Sequence, residues 1–265
     1  MQYNTLIGIL TVRRFDLLQE CLRHVLANTP DLDSSFLVIA NNSTEPAYIT
    51  QVDALASEYG IATINHRRGR GTSAAWNAMT RICDCRQVAI ISDDVIVHPG
   101  WMDGMDWVLS FPQTGVSGIR AWNGQNEWER RNTLPFPPSL MDAQPIIYPC
   151  GFLLMYLRER FEEINGFDEN IWMGLEEVDF SIRMMQRGYG NYQVGIRNDV
   201  YKFGNHYGFA SGYYPEQAAP ELREIARRNI EYFKEKHQTE WPLTKEFEEK
   251  LKEECAEAWT RRIKP

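Results

Sequence analysis

Val88-Ala89-Ile90-Ile91-Ser92-Asp93-Asp94-Val95 runs four apolar residues straight into two adjacent carboxylates. An apolar run this short and unbroken is the pattern of a strand buried on both faces, as in a parallel sheet. The carboxylates then fall at the strand's carboxyl end, where open α/β sheets bind their ligands. Two carboxylates there can grip a divalent cation, and a cation there can hold phosphates. Asp is equally at home in turns, and His98-Pro99-Gly100 follows, so on this stretch alone a solvated turn is an equal reading.

Upstream, the same logic repeats. Thr5 to Thr11 (TLIGILT) is a second buried strand. Phe15, Leu18, Cys21, Leu22, Val25 and Leu26 then recur at helical spacing until Asn28-Thr29-Pro30 stops them. Phe36 to Ala40 is a strand, Tyr48, Val52, Leu55, Ala56 and Tyr59 mark a helix closed by Gly60, and Ile61 to Ile64 is a short strand. Arg67 to Gly71 is a loop and Ser73 to Ile82 a helix. Strands alternating with helices imply βαβ units, so the chain is expected to be an α/β fold with a mainly parallel sheet flanked by helices. Its first hundred or so residues read as a nucleotide-binding half.

Downstream, Phe111 to Pro149 is dense in proline and breaks the pattern, which predicts long loops. Gly151 to Tyr156 is a strand, Arg158 to Ile164 a short helix and Gly166-Phe167-Asp168 a turn. A helix from Glu176 turns Val178, Ile182 and Met185 inward and stops at Gly188. Tyr192 to Ile196 is expected as a last strand. Beyond Pro215 the chain is charged and helical, with apolar stripes at Leu222, Ile225, Ile230 and Phe233, then Phe247, Leu251 and Trp259. Its many Glu and Lys read as solvated faces with i,i+4 pairs; a packing face or a homo-oligomer face is the other option.

The composition is that of a globular protein, with 43% hydrophobic and 24% charged residues over 265. A net charge of −8 argues against a sequence-independent polyanion binder, which needs a basic face. Arg67, Arg68 and Arg70 nevertheless make one basic patch. The five cysteines are scattered, with no pair of Cys-x-x-Cys units, so neither a zinc site nor a disulfide framework is implied. No leader pattern or membrane-length apolar run is present, and a cytoplasmic protein is expected.

Taken in order, these pieces resemble the GT-A glycosyltransferases, family 2 type, over roughly residues 5 to 211. The resemblance rests on Asn41-Asn42-Ser43 after the second strand, Gly71 through Asn77, Ser92-Asp93-Asp94 in the place of a DxD motif, and Pro99-Gly100-Trp101. It continues with Gly166-Phe167-Asp168, then Glu176-Glu177-Val178-Asp179-Phe180, Arg183 and Gly188-Tyr189. It implies a GT-A domain over 1–214, with a nucleotide-sugar half at about 1–110 and an acceptor half at 111–214, followed by a helical extension over 215–265. It implies transfer of a sugar from a nucleoside diphosphate donor, with uridine the expected base, to a hydroxyl acceptor, with Mn2+ or Mg2+ and with inversion at the anomeric carbon. The acceptor is open among glycan, lipid-linked glycan, protein and modified nucleotide, and residues 111–149 are expected to select it.

A departing diphosphate needs its charge neutralised, which a divalent Lewis acid does. By match to the motif, Asp94 is the metal ligand, with His206 in Lys202-Phe203-Gly204-Asn205-His206 as a second metal or diphosphate contact. Asp93 supports the metal or the donor ribose, and Ser92 stands where the family carries an acidic residue. An attacking hydroxyl needs a carboxylate to take its proton. The matching position is Glu177, a Glu where the family has Asp, with Glu176 orienting acceptor or metal shell. Asp179 supports the site and can pair with Arg183 at i+4. Thr11, Arg13 and Asn41 are the base-side candidates, with Ala40 where the family carries Asp, and Arg70 and Asn77 face the same cleft. Trp122, Trp128 and Trp172 are candidates for stacking on sugar rings.

Three other readings compete. Gly69-x-Gly71-x-x-Ala74, with Asp93 nineteen residues on, is a dinucleotide fingerprint on paper and would suit an NAD-dependent dehydrogenase. A catalytically silent sugar-nucleotide binder follows if the Ser92 and Glu177 changes remove turnover. A nucleotidyltransferase would need a glycine-rich loop after the first strand, and Thr11-Val12-Arg13-Arg14 is not one.

Overall fold

A computed structural model of the chain describes residues 3–29, 31–66, 70–97, 99–120, 144–194, 201–203 and 220–263. Three βα units open it: β1 (Tyr3–Thr11) and α1 (Phe15–Asn28), β2 (Ser35–Asn41) and α2 (Pro46–Tyr59), β3 (Ala62–Asn65) and α3 (Gly71–Arg81). The quoted stretch is β4 (Cys85–Ser92), followed by β5 (Val95–Val97) and α4 (Asp103–Leu109). Then come β6 (Thr114–Arg120), β7 (Gln144–Ile146), β8 (Pro149–Leu157) and α5 (Arg158–Glu163). The last elements are α6 (Glu176–Gln186), β9 (Gly190–Gln193), β10 (Tyr201–Phe203), α7 (Pro220–His237) and α8 (Lys245–Ile263).

Eight strands form one sheet in the order β3-β2-β1-β4-β8-β6-β9-β7. The first four run parallel, β8 lies antiparallel between β4 and β6, and β6 and β9 are again parallel. The unbroken apolar runs of β1 and β4 have the expected cause. Ile7, Ile9, Ala89 and Ile91 face a core shared with α1, α2 and α4, while Leu6, Val88 and Ile90 face a second one shared with α3, α5 and α6. Successive strand residues point to opposite faces, so the middle of a strand sandwiched between two helical layers is apolar on both sides. The buried polar residues Thr5, Gln87 and Thr11 sit nearer the strand ends with hydrogen-bond partners. Phe167, stacked on Phe180 with centroids 4.0 Å apart, closes the second core with Phe161 and Tyr156.

Several elements differ from the sequence expectation. Thr114–Arg120 is a strand inside the stretch expected to be loops. Its buried residues include Thr114 and Ser117, so no apolar alternation announces it. The last strand of the main sheet occupies 190–193 rather than 192–196. The short strands β5 and β10 pair antiparallel in a separate ribbon, Phe203 opposite Val95. The C-terminal helices are also not simply solvated: Phe233 and Leu251 are buried with Leu175, Val178, Ile182 and Met185 of the α6 region in a third core. Among the described residues no helix is long and apolar enough to cross a membrane.

Candidate active site

The carboxyl ends of β1, β2 and β4 lie side by side. Leu10 pairs with Ser92, and Thr11 with Asn41. β8 enters this edge from the opposite direction, with Ile91 paired to Leu153. The pairing ends there, so the end of β4 that leads into Asp93-Asp94 and the start of β8 at Pro149 lie at the same edge of the sheet.

Asp93 is held there by a hydrogen-bond relay. The Thr11 hydroxyl donates to Asp93 Oδ2 at 2.5 Å, which leaves Tyr48 OH to donate to Thr11. Burial pushes the Asp93 carboxyl up to about 7; the Thr11 hydrogen bond works against that shift and the adjacent Asp94 charge adds to it. Thr11, expected as a base contact, is fully buried and acts as the brace of Asp93. Tyr48 was readable only as a helix-face residue, and its part in the relay had no sequence signal.

Two crowded carboxylates at a strand end are a setting a hard divalent cation would relieve, since cations of the Mg2+ and Mn2+ kind take oxygen donors and complete their shell with phosphates and water. Among the described residues no cluster of three His, Cys, Asp or Glu side chains could cage an ion by itself. A cation at Asp93-Asp94 would complete its shell with oxygens from water or a bound ligand. His206 lies outside the described residues, as do Trp122 and Trp128.

The second acidic group comes from α6. Leu175 enters this helix in the left-handed region at φ 71 with no side-chain cap, and Glu176, Glu177 and Asp179 fill its first turn. Acidic residues suit a helix N-terminus, but these carboxylates are also crowded and desolvated. Burial raises Glu176, with the Glu177 charge adding to it, and burial raises Glu177 in turn. Glu176 is 7% exposed and its Oε2 has no partner. The Gly151 backbone beside the Glu177 carboxyl works against the rise of that group. A Cβ on Gly151 would stand 3.2 Å from Glu177 Cδ and 3.1 Å from Trp76 Cη2, so glycine is what lets both approach the strand.

α3 is sewn to the segment that leads into α6. Thr72 N donates to Trp172 O at 2.7 Å, and Ser73 Oγ to Ile171 O at 2.6 Å. Gly71, at φ 80, lies against the Trp172 backbone and ring, where a side chain would collide. Trp172, a sugar-stacking candidate, is thus at least partly committed to this junction.

The remaining candidates separate. Asn77 does not open onto the cleft: it is 2% exposed and clamps the Gly166-Phe167-Asp168 turn. Its Nδ2 donates to Phe167 O (2.9 Å) and Glu169 Oε1 (3.0 Å), and its Oδ1 accepts from Phe167 N (2.8 Å). Asn41 is buried, with Oδ1 accepting from Ser43 N at 3.0 Å and Nδ2 without a partner. Arg13 is exposed and Ser92 half-buried at the same edge. Arg70 is also exposed; its amide donates to Asn42 Oδ1 at 3.1 Å and its guanidinium stands 3.7 Å from Glu169. Asp179 is paired with Arg183 at i+4, as its spacing implies, at 2.8 Å. A pocket of about 410 Å3, lined by residues including Arg81, Asp168, Arg183 and Lys236, sits behind the 166–168 turn, and none of Asp93, Asp94, Glu176 or Glu177 lines it.

The dinucleotide reading does not survive this geometry. The Gly71 loop follows β3, an edge strand of the sheet, and Gly71 is filled from the other side by Trp172, which leaves no room for a pyrophosphate at that turn. Gly69 lies outside the described residues.

A family model described as Glycosyl transferase family 2 matches residues 6–165. No curated protein matches the chain. Among solved structures, GalNAc-T7 with UDP, GalNAc and Mn2+ superposes with a TM-score of 0.60 at 14% identity, over 73% of this chain and 42% of that one. The mannosyltransferase PcManGT from Pyrobaculum calidifontis, in complex with GDP-Man and Mn2+, gives 0.58 at 12% identity over 98% and 75%. S. aureus TarS 1-349 in complex with UDP-GlcNAc gives 0.57 at 13% identity over 98% and 79%. The chain thus spans less than half the length of GalNAc-T7, and at these identities the likeness shows a shared GT-A fold.

Proposed function

The chain belongs to glycosyl transferase family 2, and from that premise we propose that it moves a sugar from a nucleoside diphosphate donor to an acceptor hydroxyl, with inversion at the anomeric carbon. The observation that supports this reading is that one edge of the sheet holds both the end of β4, which leads into Asp93-Asp94, and the start of β8, where the Glu177 carboxyl packs against Gly151.

In this reading Asp94 holds a divalent cation, Mn2+ or Mg2+, against the donor diphosphate, with Asp93 braced behind it by Thr11 and Tyr48. When bound, the cation supplies Lewis-acid neutralisation of the leaving diphosphate. Glu177 accepts the proton of the acceptor hydroxyl as its oxygen forms a bond to the anomeric carbon, and the bond from that carbon to the diphosphate oxygen breaks. A carboxyl raised above the usual range by burial is a better base near neutrality than an exposed one. Glu176, buried and with one oxygen unpartnered, orients the acceptor. Arg13 and Arg70 are the exposed cations that meet the nucleotide, and the base is taken to be uridine.

The test is a panel of UDP-GlcNAc, UDP-GalNAc, UDP-glucose and GDP-mannose with Mn2+, following nucleotide release. Release that requires the cation supports the reading. Donor binding with no release, in water or with simple sugar acceptors, is the result that makes the chain a silent binder instead.

A further inference from the structure

α7 lies beyond every motif used above, yet four of its side chains reach into the segment that carries the acidic turn. Asn229 Nδ2 donates to Met173 O at 2.7 Å. Tyr232 OH donates to Asp168 Oδ2 at 2.8 Å. Lys236 Nζ stands 2.6 Å from both Asp168 Oδ2 and Asp179 Oδ1, bridging the 166–168 turn and α6 with one ammonium. His237 Nε2 lies 2.8 Å from Asp179 Oδ1. Phe233, fully buried, packs among Leu175, Val178 and Ile182 beneath these contacts.

Asp179 is where these contacts converge. It is fully buried and receives Arg183 from its own helix and Lys236 and His237 from α7. Burial pushes its carboxyl up, but the His237 hydrogen bond and the Arg183 and Lys236 charges outweigh that and hold it below the usual range. It is therefore an ionised anchor, and the neighbouring Nε2–H is the donor. On a helix, two residues are about 200° apart, so an anchor at Asp179 turns Glu177 away from α7 and toward Gly151. α6 needs such an anchor. Its N-terminus has no side-chain cap, begins from a left-handed Leu175, and places two desolvated carboxylates side by side.

We propose that Lys236 and His237 are positioning residues for the transfer reaction: through Asp179 and Asp168 they fix the rotation and entry of α6, and so the place of Glu177 over Gly151. This rests on Glu177 being the base. α8 secures the other end of the same helix, where Arg262 Nε donates to Arg187 O at 2.6 Å.

The experiment compares Lys236→Met and His237→Leu with the conservative Lys236→Arg and His237→Gln. It uses whichever donor of the panel the wild type turns over fastest, with Mn2+, and Glu177→Gln alongside. Expected is a fall in kcat of about tenfold or more for Met and Leu, recovery to within about threefold for Arg and Gln, and donor Kd within about twofold throughout, because catalysis is sensitive to small misplacements that binding tolerates. Amides 174–177 should exchange with deuterium faster in the Met and Leu variants. Tyr232→Phe removes one hydroxyl and little volume, so it carries the exchange test where Lys236→Met unfolds. Unchanged kcat and unchanged exchange in variants that only lower Tm overturn the positioning role, while an inactive Glu177→Gln leaves the base assignment standing. A wild type that releases no nucleotide, or an active Glu177→Gln, overturns the base reading itself and the positioning role with it.

Discussion

Gly151 and Glu177 are fitted to one another: a methyl group on Gly151 would stand 3.2 Å from Glu177 Cδ and 3.4 Å from its Oε1. Gly151→Ala is therefore expected to displace the carboxyl by a few tenths of an ångström. Such a shift lowers kcat by about tenfold or more while the fold holds, because misplacement of a reacting group is costly and an alanine in a strand is not. Steady-state kinetics with a parallel Tm measurement check this.

The raised pair Glu176 and Glu177 has a signature in stability. Between the ordinary glutamate value of 4.5 and the raised folded values, the native protein keeps protons that the unfolded chain has lost. The unfolded state then binds fewer protons, so stability falls as pH rises through that window. Without donor or cation, Tm should drop from pH 5 toward pH 8 on this account, and Glu176→Gln with Glu177→Gln should flatten the slope. Activity has the opposite sense, rising with pH as the base loses its proton.

Asp94→Asn should remove the cation effect without unfolding the protein. The wild type is expected to gain thermal stability from UDP and Mn2+ together, by mass action on the native state, and to lose nucleotide release on chelation. The variant should show neither the stabilisation nor any response to added Mn2+.

Asn77→Ala separates a structural clamp from a donor contact. Losing its hydrogen bonds to the 167 backbone should cost about 1–3 kcal/mol in urea denaturation, because buried partners are left unsatisfied. Donor Kd should stay close to the wild-type value once the variant is held well below its Tm.

The parts that the sequence made legible are those written in local pattern. β1, β2 and β4 are visible because the middle of a strand covered on both faces is an unbroken apolar run, with buried polar residues confined nearer its ends, and the acidic turns are visible because each is a short run of unlike residues. β6 was hidden for the converse reason, since Thr114 and Ser117 are buried where large apolar residues would have marked a strand. Asn77 misled for a related reason: a polar residue on a helix looks the same whether it faces a ligand or satisfies a turn 90 residues away. The convergence of Lys236 and His237 on Asp179 had no signal at all, because charged residues near a helix C-terminus are ordinary and their partner lies 57 and 58 residues earlier.

The central claim is that Glu177 is the base of a cation-dependent sugar transfer, and nucleotide release by the wild type and by Glu177→Gln tests it most directly. With the panel donors and Mn2+, the account predicts release by the wild type and a loss of about a hundredfold or more in the variant, the scale of a general base, with donor Kd little changed. A Glu177→Gln protein that releases nucleotide at the wild-type rate would contradict it.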